Sequence, residues 1–350
     1  MKQFLRRATL GVLKSCGAFS MVCQSAWRRQ RLLILCYHGV SLEDEDQWKP
    51  GLFIGPQMLE RRLEILHRKN CAVLDLGEAL QRLYRNDLPP RSVALTFDDG
   101  GYDFYKQAYP RLERYRFPVT VYLTSYYSEL QVPVFHMMCS YLLWKAQNLG
   151  SVDLKEFGLE YRVELKSVGN RDDAANRISQ RAELEDMTGR EKDQLAAALS
   201  ARLGIDYEKL REKRILQLMN GGEIAELAAR GVDFQLHTHR HRTPLQEDLF
   251  RREIRDNRAH LEGIGGPERI HFCYPSGAYR PEFLQWLSEE GVVSATTCDT
   301  GFATAQSNAL LLPRLVDTSQ RTELEFESWI DGIGHFLSRR RRARLAYAAD

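Results

Sequence analysis

Short apolar runs alternate along the chain with longer segments in which apolar residues recur at helical spacing. Apolar runs without polar alternation are typical of strands buried on both faces, as parallel strands are when helices cover the sheet. Roughly seven strands that alternate with helices fit a barrel-like α/β fold. We expect strands at residues 32–40, 71–76, 93–97, 118–123, 232–236, 270–275, 292–297 and 310–316, and helices from about residue 56 and at 77–85, 102–115, 223–230, 247–261 and 282–290.

The alternation stops between residues 125 and 218, where the sequence is mainly helical in pattern and rich in charge. An apolar stretch spans residues 134–144, and acids and bases are interspersed through residues 171–203. We interpret this segment as a helical insertion that caps or borders a site on the barrel. A solvated surface subdomain is the alternative, and the sequence leaves both open.

The strand at residues 93–97 ends in two carboxylates, Asp98 and Asp99, followed by two glycines. Ligands of α/β folds bind just beyond the carboxyl ends of the strands, so these acids lie where chemistry is usual. Two adjacent acids repel each other unless a cation or a proton lies between them, and a metal ion is the simplest such cation. The alternative is a simple turn, since Asp and Gly are favoured turn residues.

A second apolar run ends in histidines at positions 237, 239 and 241. A helical turn or a tight loop puts His237 and His241 on one side, and His239 then points elsewhere. Two histidines and one carboxylate, with a fourth position open to water, form a standard catalytic zinc set. A single histidine is more often a solvated or satisfied core residue, but three at one strand end favour ligands. The first strand also ends in a reactive side chain, His38.

Composition narrows the class of protein. The formal net charge of +2 over 350 residues is too small to indicate nucleic-acid binding. The seven cysteines include no C-x-x-C pair, and this odd number without a framework favours a reducing compartment. We therefore expect a cytoplasmic protein, and we interpret Cys36, Cys71 and Cys273 as core residues.

Both ends of the chain are basic. Residues 1–31 contain no acid, and residues 321–350 contain Arg339 to Arg342 and Arg344. Lys14 interrupts the apolar part of the first segment, and no uninterrupted apolar stretch there reaches the ~20 residues that a membrane span needs. We expect it to be an amphipathic helix that lies on the inner face of a membrane or packs on the domain, with a signal peptide as the less favoured alternative. The predicted organisation is this segment, a barrel over residues 32–320 and a basic C-terminal tail over residues 321–350.

Three motifs in this order resemble those of the polysaccharide deacetylases, the NodB-homology group of carbohydrate esterase family 4. They are Thr-Phe-Asp-Asp-Gly at residues 96–100, His-Thr-His-Arg-His at residues 237–241 and Tyr-Pro-Ser-Gly at residues 274–277. The resemblance covers about residues 32–318 without the insertion. It implies a distorted (β/α) barrel and a divalent metal, usually Zn²⁺, used to remove acetyl groups from N-acetylated sugars.

The resemblance also implies a role for each matching residue. Asp98 matches the catalytic base, and Asp99, His237 and His241 match the metal ligands. The backbone N–H of Tyr274 matches a donor to the oxyanion of the reaction, and the loop through Pro275 and Gly277 matches the lining of the sugar pocket.

Two departures from the family pattern change these assignments. No late histidine has the expected apolar flanks, but Tyr37-His38 resembles a subgroup in which this motif comes first, so His38 is assigned as the general acid. The arginine that often precedes the aromatic-Pro loop is absent, since position 273 is Cys. Arg314 resembles the alternative of the subgroup and is predicted to pair with Asp98.

The sequence therefore predicts a metal-dependent hydrolase that removes N-acetyl groups from amino sugars of a polysaccharide or glycan precursor. The alternative from another class is an inactive glycan-binding protein on the same barrel. A third hypothesis keeps the metal site but uses a lipid-linked amino-sugar precursor. The predicted partners are an N-acetylated glycan, no nucleic acid, and a membrane surface through the basic ends.

Overall fold

The computed structural model describes residues 2–264 and 266–337. Seven strands form a closed parallel ring in the order β1-β12-β11-β10-β9-β6-β5, and the pairing of β5 with β1 closes it. The predicted α/β barrel is therefore confirmed. The strands are β1 (Leu33–Tyr37), β2 (Gly39–Val40), β3 (Phe53–Ile54), β4 (Val73–Leu74), β5 (Val93–Phe97), β6 (Thr120–Leu123), β7 (Ser151–Asp153), β8 (Arg162–Glu164), β9 (Asp233–Leu236), β10 (His271–Cys273), β11 (Ser294–Thr300) and β12 (Leu312–Val316).

Helices surround the ring. A π-helical turn at Phe104–Ala108 precedes α7, and short 3₁₀ turns lie at Gln147–Leu149, Lys155–Phe157 and Pro275–Gly277. The α-helices are α1 (Lys2–Ser15), α2 (Ala18–Gln24), α3 (Ala26–Arg29), α4 (Glu45–Trp48), α5 (Pro56–Arg68), α6 (Leu76–Arg85), α7 (Tyr109–Tyr115), α8 (Tyr126–Leu130), α9 (Phe135–Lys145), α10 (Val168–Leu184), α11 (Gly189–Arg202), α12 (Tyr207–Glu212), α13 (Gly221–Ala229), α14 (Glu247–Glu262), α15 (Pro281–Glu289), α16 (Glu323–Asp331) and α17 (Ile333–Leu337).

Several predicted strands are shorter than expected, and for two of them the contacts show the reason. The first is broken at His38, because Gly39 and Val40 pair with β3 rather than with the barrel. The strand predicted at residues 71–76 is reduced to β4, because Asp75 caps α6 by accepting hydrogen bonds from the Gly77 and Glu78 amides. Strand β4 pairs with the first residues of β5, outside the closed ring.

The barrel strands are buried on both faces, as their apolar runs predict. Every residue of β1 and of β5 is buried. Ile34, Ala94, Tyr122 and Leu312 belong to one buried cluster contributed by different barrel strands. Leu33 and its alternate neighbours on β1 pack instead with the surrounding helices. The interior is thus a packed core, and chemistry is confined to the rim where the parallel strands end.

Residues 125–218 form a subdomain with a hydrophobic core of their own. This core includes Phe135, Leu142, Ile178 and Leu199, contributed by helices α9, α10 and α11. The antiparallel hairpin of β7 and β8 is an element that the sequence did not predict. Each of its strands is three residues long, which is too short for an alternating pattern to be recognised.

The N-terminal helices pack against the last helices that the structure describes rather than forming a separate segment. Leu10 and Phe19 are buried against Ile333. Arg28 is fully buried and donates a hydrogen bond to the Ile330 carbonyl at 2.9 Å. Of the two positions expected for the N-terminal segment, packing on the domain is the one that these contacts support.

The boundary predicted at residue 320 is wrong, because α16 belongs to the main core. Phe326, Trp329 and Ile330 of this helix are fully buried in the cluster that surrounds the barrel. The arginines predicted to form a basic tail, residues 339–342 and 344, lie outside the described residues. Among the residues that are described, no helix combines the length and apolar character needed to cross a membrane.

Candidate active site

The candidate site begins in the sharp turn that follows β5. The Asp98 amide still donates to the Tyr37 carbonyl at 2.9 Å, which continues the pairing of β5 with β1 by one residue. Asp99 and Gly100 then take positive φ angles of 71° and 79°. A Cβ on Gly100 would lie 2.0 Å from Leu123 Cδ1, so glycine is required both by conformation and by space. This turn aims the two carboxylates at the centre of the rim.

Asp99, His237 and His241 converge on one point. Asp99 Oδ1 lies 3.2 Å from Nε2 of each histidine, and the candidate ligand atoms all lie within 4.8 Å of one another. Asp99 Oδ1 is buried and makes no hydrogen bond with the described residues. An unpaired carboxylate oxygen facing two imidazole nitrogens fits a divalent metal, and two nitrogens with one oxygen fit zinc. The residues predicted as ligands are thus brought together.

The two histidines come from a loop rather than from a helical turn. His237 follows β9 directly, and its Nδ1 donates to the Cys273 carbonyl at 2.8 Å, which leaves Nε2 directed at Asp99. His241 takes a positive φ of 54° and is partly exposed. A hydrogen bond from Nδ1 to a carbonyl fixes the tautomer in which Nε2 can bind a metal.

Helix α14 supports this loop through two buried polar residues. Asn257 Oδ1 accepts the His237 N–H at 2.9 Å, and its Nδ2 donates to the Leu123 carbonyl at 2.9 Å. Glu253 accepts from the Arg240 amide at 2.7 Å. Neither residue is among the predicted site residues, although Asn257 stands on the apolar face of the predicted helix, between Ile254 and Leu261. A polar residue on a buried stripe was the signal that could have found it.

His239 points away from the ligands, as predicted, and binds the start of the insertion. Its Nδ1 lies 2.9 Å from Ser125 Oγ, and its carbonyl accepts the Tyr126 N–H at 2.8 Å and the Thr124 hydroxyl at 3.0 Å. The loop of residues 237–241, here called the ligand loop, is therefore held to the start of the insertion at α8 by hydrogen bonds of both backbone and side-chain atoms.

Asp98 forms the predicted pair with Arg314. The guanidinium donates to both carboxylate oxygens at 2.7 Å, and it is oriented by further bonds to the Thr297 carbonyl and to Thr96 Oγ1. Burial by itself would raise the pKa of Asp98, but the charge and hydrogen bonds of Arg314 hold that pKa well below its usual range. The carboxylate is therefore ionised at neutral pH.

His38 lies on the open side of Asp98, with Nε2 3.6 Å from Asp98 Oδ2. Burial lowers the pKa of His38 from its ordinary value, and the Asp98 charge opposes this shift in part. The imidazole is thus placed between the carboxylate pair and the cavity.

Two thiols complete the surroundings of Asp98. Cys273 Sγ and Cys36 Sγ lie 3.4 and 3.5 Å from Asp98 Oδ2. Burial raises the pKa of both thiols well above the ordinary value, so both remain protonated and can donate to the carboxylate. Both cysteines are buried as predicted, but their contact with Asp98 was not foreseen.

The predicted role of the Tyr274 amide is wrong. That N–H donates to the Thr296 carbonyl at 3.1 Å within the sheet, and the Tyr274 ring is buried in the core. Within the following turn, hydrogen bonds run from the Gly277 and Ala278 amides to Tyr274 and Pro275. The Ser276 amide takes no part in them.

Ser276 is also the residue of this turn that reaches the cavity. It lines the cavity with its backbone at a positive φ of 56°, whereas Pro275 and Gly277 are buried beneath it. Pro275 and Gly277, predicted to line the sugar pocket, therefore shape the turn instead. The sequence could not show that Ser276, two residues after Tyr274, is the one that reaches the cavity. That depends on where the pairing of β10 with its neighbouring strands ends.

A cavity of about 500 Å³ opens above the candidate ligands. Its wall also contains Asp103, which accepts a hydrogen bond from the Val40 amide and whose pKa burial raises to about 7. Leu216 and Met137 of the insertion line the opposite part. The insertion thus borders the site, which favours the first of the two interpretations made from sequence.

Comparisons with known proteins agree with this geometry. A model of the polysaccharide deacetylase family matches residues 85–147 and 212–295, and the unmatched gap falls within the insertion. YxkH of Bacillus subtilis (strain 168), a curated protein named as a polysaccharide deacetylase, is 31% identical over 104 residues, which cover 28% of this chain. The chain spans 35% of the length of that relative.

Two solved structures share the fold at low sequence identity. The Streptococcus pyogenes deacetylase PplD in complex with acetate superposes with a TM-score of 0.55 at 19% identity, over 83% of this chain and 93% of its own. BC0361, a polysaccharide deacetylase from Bacillus cereus, superposes with a TM-score of 0.52 at 15% identity, over 86% of this chain and 69% of its own. At such identities the likeness concerns the fold alone.

Proposed function

We propose that this chain, which a model of the polysaccharide deacetylase family matches over residues 85–147 and 212–295, is a metal-dependent hydrolase that removes N-acetyl groups from amino sugars of a polysaccharide or glycan precursor. The products are acetate and a free amino sugar. The observation that carries the proposal is the position of the Asp98–Arg314 ion pair beside the convergent Asp99, His237 and His241.

Asp99, His237 and His241 would hold the divalent metal, with zinc favoured by their donor atoms. When bound, such a metal polarises an amide carbonyl and makes water more acidic. The protein's own contribution is to fix His237 in advance, through the Cys273 carbonyl and Asn257. Fixed ligands lose little conformational freedom on binding the metal.

Asp98 acts as the general base that accepts the proton of the attacking water. A general base must be ionised at the working pH, and Arg314 keeps the Asp98 carboxylate ionised. The two thiols and the guanidinium also restrict rotation of the carboxylate beside the cavity that Asp98 lines.

His38 passes a proton to the departing amine nitrogen, which leaves poorly as an anion. Because burial lowers the pKa of His38, the imidazole first takes up the proton that Asp98 accepts from the attacking water. The oxyanion that forms when water adds to the acetamide is stabilised by the Ser276 N–H, in place of the Tyr274 N–H expected from sequence. One such donor is worth roughly 3 kcal/mol of transition-state stabilisation in enzymes of this kind.

The inactive glycan-binding protein has no observation in its favour, since base, candidate acid and ligand set lie in mutual contact. The cytoplasmic location expected from the unpaired cysteines stays a prediction.

The test is acetate release from N-acetylglucosamine oligomers by zinc-loaded protein, with Asp98→Asn measured alongside. We expect turnover in the native chain and a loss of about 10²- to 10⁴-fold in Asp98→Asn, with one zinc still bound to each. Asp248→Asn, at an exposed acid on α14, is the matched control. Bound zinc without acetate release from any N-acetylated sugar would overturn the proposal.

A further inference from the structure

The cavity has an unusual wall for a site that binds a sugar polymer. Apolar side chains reach it from both the barrel and the insertion; they are Leu42, Leu52, Tyr127, Val134, Met137 and Leu216. All six are only partly buried, so each still exposes surface to the cavity. Aliphatic groups make no hydrogen bonds with sugar hydroxyls, and a concave apolar surface instead favours an apolar part of a ligand.

Leu216 is held in this wall by a strained backbone. Its φ is +57°, in the left-handed region that a bulky side chain rarely adopts. The Val134 amide donates to the Leu216 carbonyl at 2.9 Å and fixes this conformation. Strained residues that persist in a fold cluster at ligand-binding sites, because the surrounding structure must compensate for them.

Lys49 is a cation in the same wall, and its nearest contacts are a thioether and an aromatic ring rather than a carboxylate. Its Nζ contacts Met137 Sδ at 3.8 Å and lies 4.8 Å from the centre of the Trp48 ring. Within the described part of the chain, no carboxylate lies within ion-pair distance of Lys49. Burial lowers the pKa of this ammonium group, and the charge of Asp172 opposes the shift only in part. An anionic ligand beside Lys49 would oppose it further.

We infer that the cavity binds an amino sugar joined through a phosphate group to an apolar chain, with the phosphate beside Lys49 and the chain along the wall that contains Leu216. The inference rests on the proposed function and names its substrate class. The same cavity contains Asp98, Asp99 and His241, so one molecule can present its acetamide there while its remaining parts contact Lys49 and the apolar wall. A phosphodiester is negative at every physiological pH and suits a lysine, which binds phosphate as a point charge.

The test compares four substrates that carry the same acetamide. They are N-acetylglucosamine 1-phosphate esterified with a ten-carbon isoprenyl alcohol, its methyl ester, decyl N-acetylglucosaminide and the N-acetylglucosamine tetramer. We expect kcat/KM for the isoprenyl phosphodiester to exceed each of the others by at least about tenfold, because only this substrate uses both the ammonium group and the apolar wall.

Variants separate the contribution of the Lys49 ammonium group from that of the apolar wall. Lys49→Met should reduce the preference for the isoprenyl phosphodiester over decyl N-acetylglucosaminide by about tenfold, and Lys49→Arg should keep most of it. Leu216→Asn should instead reduce the preference for the isoprenyl over the methyl phosphodiester. Lys155→Met, at an exposed lysine of the insertion, is the control.

Calorimetric binding of the same ligands to zinc-loaded Asp98→Asn gives a readout without turnover. Acetate release from the tetramer with no preference for the isoprenyl phosphodiester would overturn this inference and leave the proposed function intact. Unchanged preferences in Lys49→Met, or a stronger preference for nucleotide-linked N-acetylglucosamine, would also overturn it. Binding of the isoprenyl phosphodiester without acetate release from any substrate would instead contradict the proposed function.

Discussion

Arg314 and Asp98, 216 residues apart in sequence, are joined by two hydrogen bonds of 2.7 Å inside the barrel. Neither side chain is more than 2% exposed. The pair places a carboxylate that is ionised at neutral pH beside the candidate metal ligands, and it joins the end of β5 to β12 across β1. Its geometry leads to the first prediction.

Arg314→Met should lower the free energy of unfolding by about 3–5 kcal/mol, because it leaves the Asp98 charge buried without a partner. The double variant Asp98→Leu with Arg314→Met should recover much of this loss while remaining inactive. Urea denaturation of both proteins measures the difference. Equal stability of the single variant and the native chain would show that water already solvates Asp98.

Asn257→Leu should weaken zinc binding by about 10- to 100-fold, because the His237 backbone loses the acceptor that holds it. Competition with a chromophoric chelator measures this affinity without any substrate. Asp248→Asn on the same helix should leave it unchanged. Native zinc affinity in Asn257→Leu would mean that the Cys273 carbonyl alone is enough to orient the ligand.

His38→Gln should reduce kcat for N-acetylated sugars by about 10²- to 10⁴-fold, since the departing amine loses its proton donor. An aryl acetate ester, whose phenolate leaves without protonation, should lose far less activity. The two substrates are compared by steady-state kinetics at saturating zinc. A similar loss for both would assign His38 a role in binding or in orienting Asp98.

Gly277→Ala should destabilise the fold by about 1–3 kcal/mol and lower kcat. Gly277 has a φ of +68°, and a Cβ would lie 2.7 Å from Cys298 Cβ, so the turn that presents the Ser276 amide must shift. Gly291→Ala is the matched control, with a φ of +76° and no atom within 4 Å of its added Cβ. A comparable loss of kcat in both variants would contradict this account.

His271 should make stability depend on pH. Burial lowers the pKa of His271 to about 4, below its ordinary value near 6.5, so the folded protein keeps this imidazole neutral. The contribution is present above about pH 6.5 and is lost as the pH falls toward 4, because the unfolded chain takes up the proton first. We expect a loss of about 2–3 kcal/mol between pH 7 and pH 4.5.

His271→Gln should show a smaller loss over that range. Urea midpoints of the metal-free proteins measure it, since the other histidines contribute equally to both. Parallel pH profiles for the two proteins would exclude His271 as the source.

Some of the site was predictable because it depends on neighbours in sequence. The buried runs that end in Asp98 and in His237 predict strands, and parallel strands in one barrel end at the same rim. The convergence of Asp99 with the two histidines follows from that rule and from the four-residue spacing of the histidines. The motif order also suggested Arg314 as the partner of Asp98.

Other features depend on contacts that no local pattern records. Asn257 and Glu253 act on the ligand loop from a helix that the chain reaches only later. Ser276 rather than Tyr274 lines the cavity, because the pairing of β10 with β11 continues to Tyr274 and uses its amide.

The sequence by itself determined the barrel, its strand ends and the residue types at the rim, because apolar periodicity and short motifs are local properties. Only the tertiary structure decided that α1 and α2 pack against α17, that the insertion borders the cavity, and that no carboxylate of the described residues lies within ion-pair distance of Lys49. These features depend on which surfaces meet when distant segments bury their apolar area, and that is a property of the whole packed chain.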